Sequence, residues 1–257
     1  MNNIKDKIAI VTGASSGIGK SIAIELARNG AKVAMVARRG EELELVKKEI
    51  EAFAGVAMCI PQNLVEENCV KRIVDKVHVE WGEVNILVNA AGRSGMAAID
   101  AVSLKTWYSV HQLNLHVPFE FSHYLLPDMR KKGEGWIFNI SSEAGCQLVQ
   151  YSGAYGVSKA ALNHLTELLD MECRDDNIHV YAICPGWVKT RLAANPEQLG
   201  VREEDVLMPE DIANVIVDLL CLNQKIRTGP VLTVTPMKSV TSVVASTKRY
   251  FEQEGTK

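Results

Sequence analysis

The sequence contains no long apolar run, no Cys-x-x-Cys motif and no low-complexity linker, and each absence excludes a class of protein. No stretch approaches the roughly 18 consecutive apolar residues of a membrane-spanning helix, and the N-terminus leads into a predicted strand without the apolar region of a signal peptide. We therefore expect a cytoplasmic protein with no membrane partner. The six cysteines predict buried small side chains rather than disulfides or a metal site.

A strong charge of either sign is also lacking. The 257 residues carry a formal net charge of -3, and lysines and arginines are scattered along the chain, so nucleic acid is not an expected partner. Because no linker, charge run or internal repeat divides the chain, we predict one domain over residues 1–237, followed by a C-terminal tail at 238–257.

Short apolar runs rich in β-forming residues alternate along the chain with longer segments of helical periodicity. The predicted strands cover residues 8–12, 32–37, 56–60, 85–89, 136–140, 178–183 and 231–235, and the predicted helices cover 17–28, 41–53, 66–80, 104–129, 154–174 and 209–222. This alternation is typical of a parallel sheet with crossover helices. The predicted fold class is therefore α/β, with a Rossmann-type, doubly wound, seven-stranded parallel sheet.

A glycine-rich loop follows the first predicted strand, and its sequence is compatible with two nucleotide chemistries. Gly13, Gly17 and Gly19 have the spacing of a dinucleotide loop, in which glycines allow tight turns and close approach to a pyrophosphate at a helix N-terminus. The ending Gly19-Lys20-Ser21 also fits a relaxed nucleoside triphosphate loop. We favour the dinucleotide, because the first glycine of the triphosphate motif is absent and the strand at 85–89 is not followed by a metal-binding carboxylate.

Ser142, Tyr155 and Lys159 form a candidate catalytic set. Tyr155 and Lys159 are four residues apart and share one face of a predicted helix, although such a pair also occurs on ordinary helix surfaces. Ser142 follows a predicted strand, and strand ends line clefts in such sheets. A neighbouring ammonium lowers the pKa of a phenol and makes it a better acid near neutral pH. The set predicts an oxidoreductase in which Tyr155 protonates a carbonyl oxygen, and a triphosphate hydrolase would leave it unused.

Motifs along nearly the whole chain resemble the short-chain dehydrogenase/reductase family. They are the loop at 12–19, Asn89-Ala-Ala-Gly92, Asn114, Ser142, Tyr155-x-x-x-Lys159 and Pro185-Gly186-x-x-x-Thr190. The resemblance implies a single doubly wound domain and a nicotinamide cofactor. It also implies that Tyr155 donates the proton, Ser142 orients the substrate oxygen, Lys159 holds the nicotinamide ribose and lowers the pKa of Tyr155, and Asn114 holds a water of a proton relay.

The resemblance further implies a set of cofactor contacts. Val188 and Thr190 are expected at the nicotinamide amide, and Asn89 is expected to support the adenosine side through its backbone. Asn63 and Leu64 stand where the family has an Asp-Val or similar pair near the adenine. The full expected set is Gly13, Ser15, Ser16, Gly17, Ile18, Gly19, Arg38, Arg39, Asn63, Leu64, Asn89, Gly92, Tyr155, Lys159, Val188 and Thr190.

The end of the second predicted strand favours NADP(H) over NAD(H). A carboxylate there would accept a hydrogen bond from the ribose 2′-hydroxyl, but this chain has Arg38 and Arg39 instead. Guanidinium groups suit a 2′-phosphate, and Ser15 is a candidate for a further contact. Alternatively, the two arginines are solvated and contact no phosphate. The corresponding alternative function is that of an NAD(H)-dependent alcohol dehydrogenase.

The expected substrate is a small carbonyl compound, with a 3-oxoacyl thioester as the first choice. Basic residues at 130–132 and Arg174 resemble the surface with which 3-oxoacyl carrier-protein reductases meet an acyl carrier protein, although solvated helix ends explain them as well. Leu192, Leu199 and Val201 are expected to shape the substrate pocket. The resemblance also implies a homotetramer or homodimer. A dinucleotide sensor without turnover is a second class of function, and the complete Ser-Tyr-Lys set argues against it.

Overall fold

The computed structural model describes residues 4–192, 206–222 and 228–236. The predicted tail at 238–257 lies outside the described residues, as do Leu199 and Val201 of the predicted pocket loop. Within the described ranges, none of the helices has the length and apolar composition needed to cross a membrane.

Seven strands form one sheet in the order β3-β2-β1-β4-β5-β6-β7, and every neighbouring pair is parallel. The strand order reverses between β1 and β4, and a cleft opens at the carboxyl ends of strands where such a reversal occurs. The sheet confirms the predicted doubly wound fold. The strands are β1 Ile8–Thr12, β2 Lys32–Ala37, β3 Val56–Pro61, β4 Ile86–Asn89, β5 Gly135–Ile140, β6 Ile178–Pro185 and β7 Val231–Val234.

Helices connect the strands and cover both faces of the sheet. Adjacent strand residues point to opposite faces, so Val11 packs in a core cluster with α1, α2 and α7, whereas Ile10 packs with α3, α5 and α6. Burial on both sides explains why the strands have continuous apolar sequences. The helices are α1 Gly17–Arg28, α2 Gly40–Glu51, α3 Cys69–Trp81, α4 Leu104–His111, α5 Val117–Lys132, α6 Gly153–Glu172 and α7 Pro209–Cys221.

The single helix predicted at 104–129 is wrong in one respect. A π-helical segment, Gln112–His116, separates α4 from α5. Pro118 lies in the first turn of α5 and has no N–H to donate to the carbonyl of Asn114, so regular α-helical bonding cannot continue through this point. The π-helical segment contains Asn114, one of the predicted catalytic residues.

Candidate active site

The loop after β1 is held against the end of β4 by contacts that require glycine. Gly13 has φ +69°, and a Cβ there would lie 2.9 Å from the backbone of Ala90. A Cβ on Gly19 would lie 2.5 Å from the carbonyl oxygen of Gly13. The Thr12 hydroxyl accepts hydrogen bonds from the N–H groups of Ala90 and Ala91, each at 3.0 Å. The start of α1 therefore packs against a compact backbone cradle.

A cleft of about 1060 Å³ lies at the carboxyl ends of the strands, in front of this cradle. The N-terminal N–H groups of α1 have no intrahelical partner, and such groups bind anions in the absence of a competing side-chain cap. Ser16, the N-cap residue, makes no side-chain capping bond. The cradle and the helix end therefore fit the pyrophosphate of a dinucleotide. The predicted cofactor residues that line the cleft are Gly13, Ser15, Ser16, Gly17, Ile18, Gly19, Arg38, Arg39, Asn63, Leu64, Gly92 and Thr190.

Three residues of the predicted catalytic set lie together beyond this cleft. Ser142 follows β5, and its hydroxyl oxygen accepts a hydrogen bond from the N–H of Ala144 at 3.2 Å. The same hydroxyl forms a hydrogen bond with the side chain of Tyr155 on α6. The Lys159 Nζ atom lies 5.8 Å from the centroid of the Tyr155 ring and donates to the carbonyl oxygen of Ile140 at 2.6 Å. The fold thus brings a hydroxyl and a phenol into hydrogen-bonding contact and places an amine near the phenol ring.

The sequence model of the short chain dehydrogenase family matches residues 7–198. The chain belongs to this family. A cyclohexanol dehydrogenase of Acinetobacter sp. is 31% identical over 233 residues, which are 89% of this chain and 93% of that one. The family prediction is confirmed, and the chain is an oxidoreductase of the short-chain dehydrogenase/reductase type.

Solved structures of related short-chain dehydrogenases carry either cofactor. A metagenomic short-chain oxidoreductase in complex with NADP is 29% identical, with a TM-score of 0.80, and the match covers 92% of this chain and 100% of that one. A 7α-hydroxysteroid dehydrogenase complexed with NADH and 7-oxo glycochenodeoxycholic acid is 30% identical, with a TM-score of 0.84 and coverage of 92% and 96%.

The acid–base properties of the set differ from the prediction. Burial raises the pKa of the Tyr155 phenol above its ordinary value, and the hydrogen bond with Ser142 acts in the opposite direction. Burial also lowers the pKa of the Lys159 ammonium, to about 8. The expected lowering of the Tyr155 pKa is thus outweighed by desolvation of the phenolate, and the hydrogen bond with Ser142 is the contribution that opposes desolvation.

Asn114 is fully buried and joins three parts of this oxidoreductase. Its Oδ1 atom accepts from the N–H of Arg93 at 3.0 Å, and its Nδ2 atom donates to the Arg93 carbonyl at 3.1 Å and to the Ser158 hydroxyl at 3.0 Å. A Cβ on Gly92 would lie 3.5 Å from Asn114 Oδ1 and 3.8 Å from Lys159 Nζ. The amide therefore fixes the loop after β4 beside Lys159.

Four residues of the predicted cofactor set do not line the cleft: Tyr155 and Lys159, which belong to the catalytic set, and Asn89 and Val188. Asn89 is buried, and its Nδ2 atom donates to Asn139 Oδ1 at 2.8 Å, which ties β4 to β5. Val188 is also buried and forms a parallel bridge with Leu207. A cofactor contact by Asn89 or Val188 would have to use its backbone.

Arg39, Glu42 and Arg191 form an ion-pair network at the other end of the cleft. Arg39 Nη2 donates to the hydroxyls of Ser15 and Ser16, each at 3.2 Å, and its Nη1 atom pairs with Glu42 at 2.7 Å. Arg191 pairs with the same carboxylate at 3.2 Å. Sequence reasoning missed Glu42 and Arg191, because their pairing spans 149 positions along the chain.

The triphosphate-loop alternative is not supported by the positions of its two signature side chains. Lys20 forms an ion pair with Glu49 at 2.9 Å, and the Ser21 hydroxyl donates to Glu210 at 2.9 Å. Neither residue lines the main cleft. A triphosphate loop requires the lysine on the phosphates and the hydroxyl on a metal ion, so the loop of this chain fits a dinucleotide better.

Proposed function

We propose that this protein is an NADP(H)-dependent reductase that converts a ketone to a secondary alcohol. The observation that carries the proposal is the hydrogen bond between Ser142 and Tyr155, with Lys159 near the Tyr155 ring, beside a cleft with a dinucleotide-type glycine cradle. Nicotinamide dinucleotide supplies a hydride when bound, and the carbonyl oxygen then needs a proton. Tyr155 is the acid in a position to donate it.

Each residue of the set has a distinct task in this proposal. Ser142 holds the substrate oxygen by a hydrogen bond, and the Tyr155 O–H donates its proton to that oxygen. The phenolate that remains is stabilised by the hydrogen bond from Ser142 and by the nearby ammonium of Lys159. Asn114 keeps the Arg93 loop and Ser158 in place, and the family resemblance adds a relay water at its amide.

A ketone panel tests the proposed reaction. Purified protein is mixed with NADPH and with cyclohexanone, a 7-oxo bile acid or a 3-oxoacyl thioester, and NADPH oxidation is followed by absorbance. We expect turnover of at least one ketone and no hydrolysis of ATP. If no ketone on a broad panel consumes NADPH or NADH, the proposal is wrong.

A free small ketone is a better candidate than a carrier-bound thioester. Cations of the predicted carrier-protein surface are paired within the chain: Arg130 with Asp176 at 2.9 Å, and Arg174 with Asp170 at 3.2 Å. Paired cations have less free charge to offer an acidic partner. We therefore place small ketones first and acyl thioesters second.

We propose that Arg39 recognises the 2′-phosphate of NADP(H) through its Nη2 group, which already faces the Ser15 and Ser16 hydroxyls of the glycine loop, while its Nη1 group stays paired with Glu42. Charge-assisted hydrogen bonds contribute about 1.5–3 kcal/mol, so Arg39→Ala is expected to raise KM for NADPH about 10- to 100-fold and to leave KM for NADH nearly unchanged. Steady-state kinetics with both cofactors measure this, with Arg38→Ala as the matched variant and a smaller expected effect. An equal loss with NADH would mean that Arg39 acts on the part common to both cofactors.

The reduction rate is expected to fall as the pH rises through about 8. Lys159 has its pKa lowered to about 8 and loses its charge above that pH, whereas the raised pKa of Tyr155 keeps the phenol protonated there. A profile of kcat over about pH 6 to 10 should show this limb, and the profile of Lys159→Met should lack it. If the decrease in kcat near pH 8 persists in Lys159→Met, the decrease is caused by the titration of another group.

A further inference from the structure

Two cysteines, Cys146 and Cys184, lie beside the candidate active site and have no task in the proposed reaction. Cys146 is exposed and follows the short 3-10 helix Glu143–Gly145, whereas Cys184 is fully buried near the end of β6. The two thiols are within hydrogen-bonding contact of each other. They are therefore neighbours in space although 38 positions separate them in the sequence (184 − 146).

A single amide on α6 holds both sulfur atoms. Asn163 Nδ2 donates to Cys146 Sγ at 3.5 Å, and Cys184 Sγ donates to Asn163 Oδ1 at 3.5 Å. The side chain of Asn163 is itself largely buried. Its two contacts align an exposed thiol with a buried one, which is the arrangement of a redox-reactive cysteine with a resolving partner.

The cysteine pair contacts the groups that the proposed reaction uses. Cys184 forms a hydrogen bond with the backbone of Ser142, and its ionised form would raise the pKa values of Tyr155 and Lys159. Gly145, which precedes Cys146, packs so closely on α6 that a Cβ there would lie 2.7 Å from the backbone carbon of Lys159. Both cysteines therefore adjoin residues of the proposed catalytic set.

We propose that Cys146 and Cys184 form a peroxide-reactive dithiol site that closes to a disulfide and thereby lowers the activity of the enzyme. The formation of the disulfide is independent of the proposed function, and the loss of activity rests on it. Intracellular disulfides of this kind are usually transient and redox-sensing rather than structural.

The chemistry has two steps with hydrogen peroxide as the oxidant. The Cys146 sulfur attacks the peroxide, an S–O bond forms, the O–O bond breaks, and the products are a sulfenic acid and water. The Cys184 sulfur then displaces hydroxide from the sulfenic sulfur, so that an S–S bond forms, and the thiol proton leaves with the hydroxide as a second water. Two thiols are oxidised to one disulfide, and one peroxide is reduced to water.

The different environments of the two sulfurs set the order of these steps. Cys146 is exposed and meets the peroxide first. Burial raises the pKa of the Cys184 thiol to about 12, and the contact with Cys146 adds to this effect. Cys184 therefore stays protonated until the sulfenic acid forms, and we expect disulfide closure to be the slower step.

Peptide mapping after peroxide treatment tests the site directly. Trypsin cleaves after Lys132, Lys159, Arg174 and Lys189, so Cys146 and Cys184 fall in separate peptides, 133–159 and 175–189, each with a single cysteine. Full-length protein is treated with hydrogen peroxide, the remaining thiols are alkylated, and the digest is analysed without reductant. We expect the two peptides to be linked, and the link to disappear with a thiol reductant.

Matched cysteine variants serve as controls. Cys146→Ser and Cys184→Ala should each abolish the link, whereas Cys221→Ser removes another exposed thiol and should keep both the link and the activity. Recovery of Cys184 as an alkylated thiol, with Cys146 carried to a sulfinic acid or linked to Cys221, would overturn the proposal.

Activity before and after oxidation tests the coupling to the active site. Oxidised enzyme is expected to lose NADPH-dependent turnover at least about tenfold and to regain it with reductant, because small displacements of positioned groups have such effects. An unchanged rate in fully linked protein would overturn the coupling. If no ketone is turned over even by reduced protein, the proposed function fails while the peptide map still decides the dithiol site.

Discussion

Replacing Tyr155 by phenylalanine is expected to lower kcat/KM for ketone reduction by about 10²- to 10⁴-fold, the range typical of a lost general acid. The substitution removes one hydroxyl and keeps the ring, so the packing of α6 beside Lys159 is retained. The affinity for NADPH should change little. Steady-state NADPH oxidation and a fluorescence titration of NADPH measure the two quantities separately.

The control for this variant is Tyr181→Phe. Tyr181 is a buried tyrosine on β6 that stacks on Phe138, with ring centroids 5.5 Å apart, outside the candidate site. The Tyr181→Phe variant should keep turnover within about threefold, because the substitution keeps the ring that stacks on Phe138 and lies outside the reacting groups. If Tyr155→Phe kept more than about a tenth of the wild-type rate, another group would have to be the acid.

The fold was predictable because its signals are local. Each strand is a short apolar run with a turn or helix on either side, and burial on both faces removes any ambiguity about which side is polar. The interruption of the predicted helix by the π-helical segment was harder to predict from the sequence. Pro118 signals that a hydrogen bond is lost, but the choice between a helix end, a kink and a π-helical turn depends on what Asn114 contacts in the folded chain.

The sequence allowed the residues of the candidate site to be predicted, but not the direction in which their pKa values shift. Spacing placed Tyr155 and Lys159 on one face of a helix, and that prediction needed only the helical period. The sign of the pKa shift of Tyr155 was not predictable in this way, because it is a balance between burial and hydrogen bonding that only the packed structure sets. The contact between Cys146 and Cys184 also depends on the tertiary structure, and no short sequence motif predicts it.

The second prediction with a large expected effect concerns the glycine cradle. In Gly19→Ala the added Cβ would lie 2.5 Å from the Gly13 carbonyl oxygen and 3.0 Å from the carbonyl oxygen of Thr12. Both are backbone atoms and cannot rotate away, so the start of α1 must shift. A displacement of about 1 Å at positioned groups costs roughly 100-fold, and we expect a comparable rise in the dissociation constant for NADPH.

Stability measurements separate this effect from unfolding. Overpacking of this kind destabilises a protein by about 1–3 kcal/mol, and the remaining buried contacts of α1, such as those of Ile22 and Leu26, should keep Gly19→Ala folded. Denaturant unfolding followed by circular dichroism gives the free energy of unfolding. Gly229→Ala is the matched control, because nothing lies within 4 Å of its added Cβ.

The outcome for Gly19→Ala bears on the proposed cofactor site as a whole. If NADPH binding falls while Gly229→Ala binds as the wild type does, the close approach of Gly19 to Gly13 is needed for the dinucleotide. If a folded Gly19→Ala protein binds NADPH with unchanged affinity, the pyrophosphate does not sit on this cradle. The assignment of Arg39 to the 2′-phosphate would then fail with it, because Arg39 is placed by Ser15 and Ser16 of the same loop.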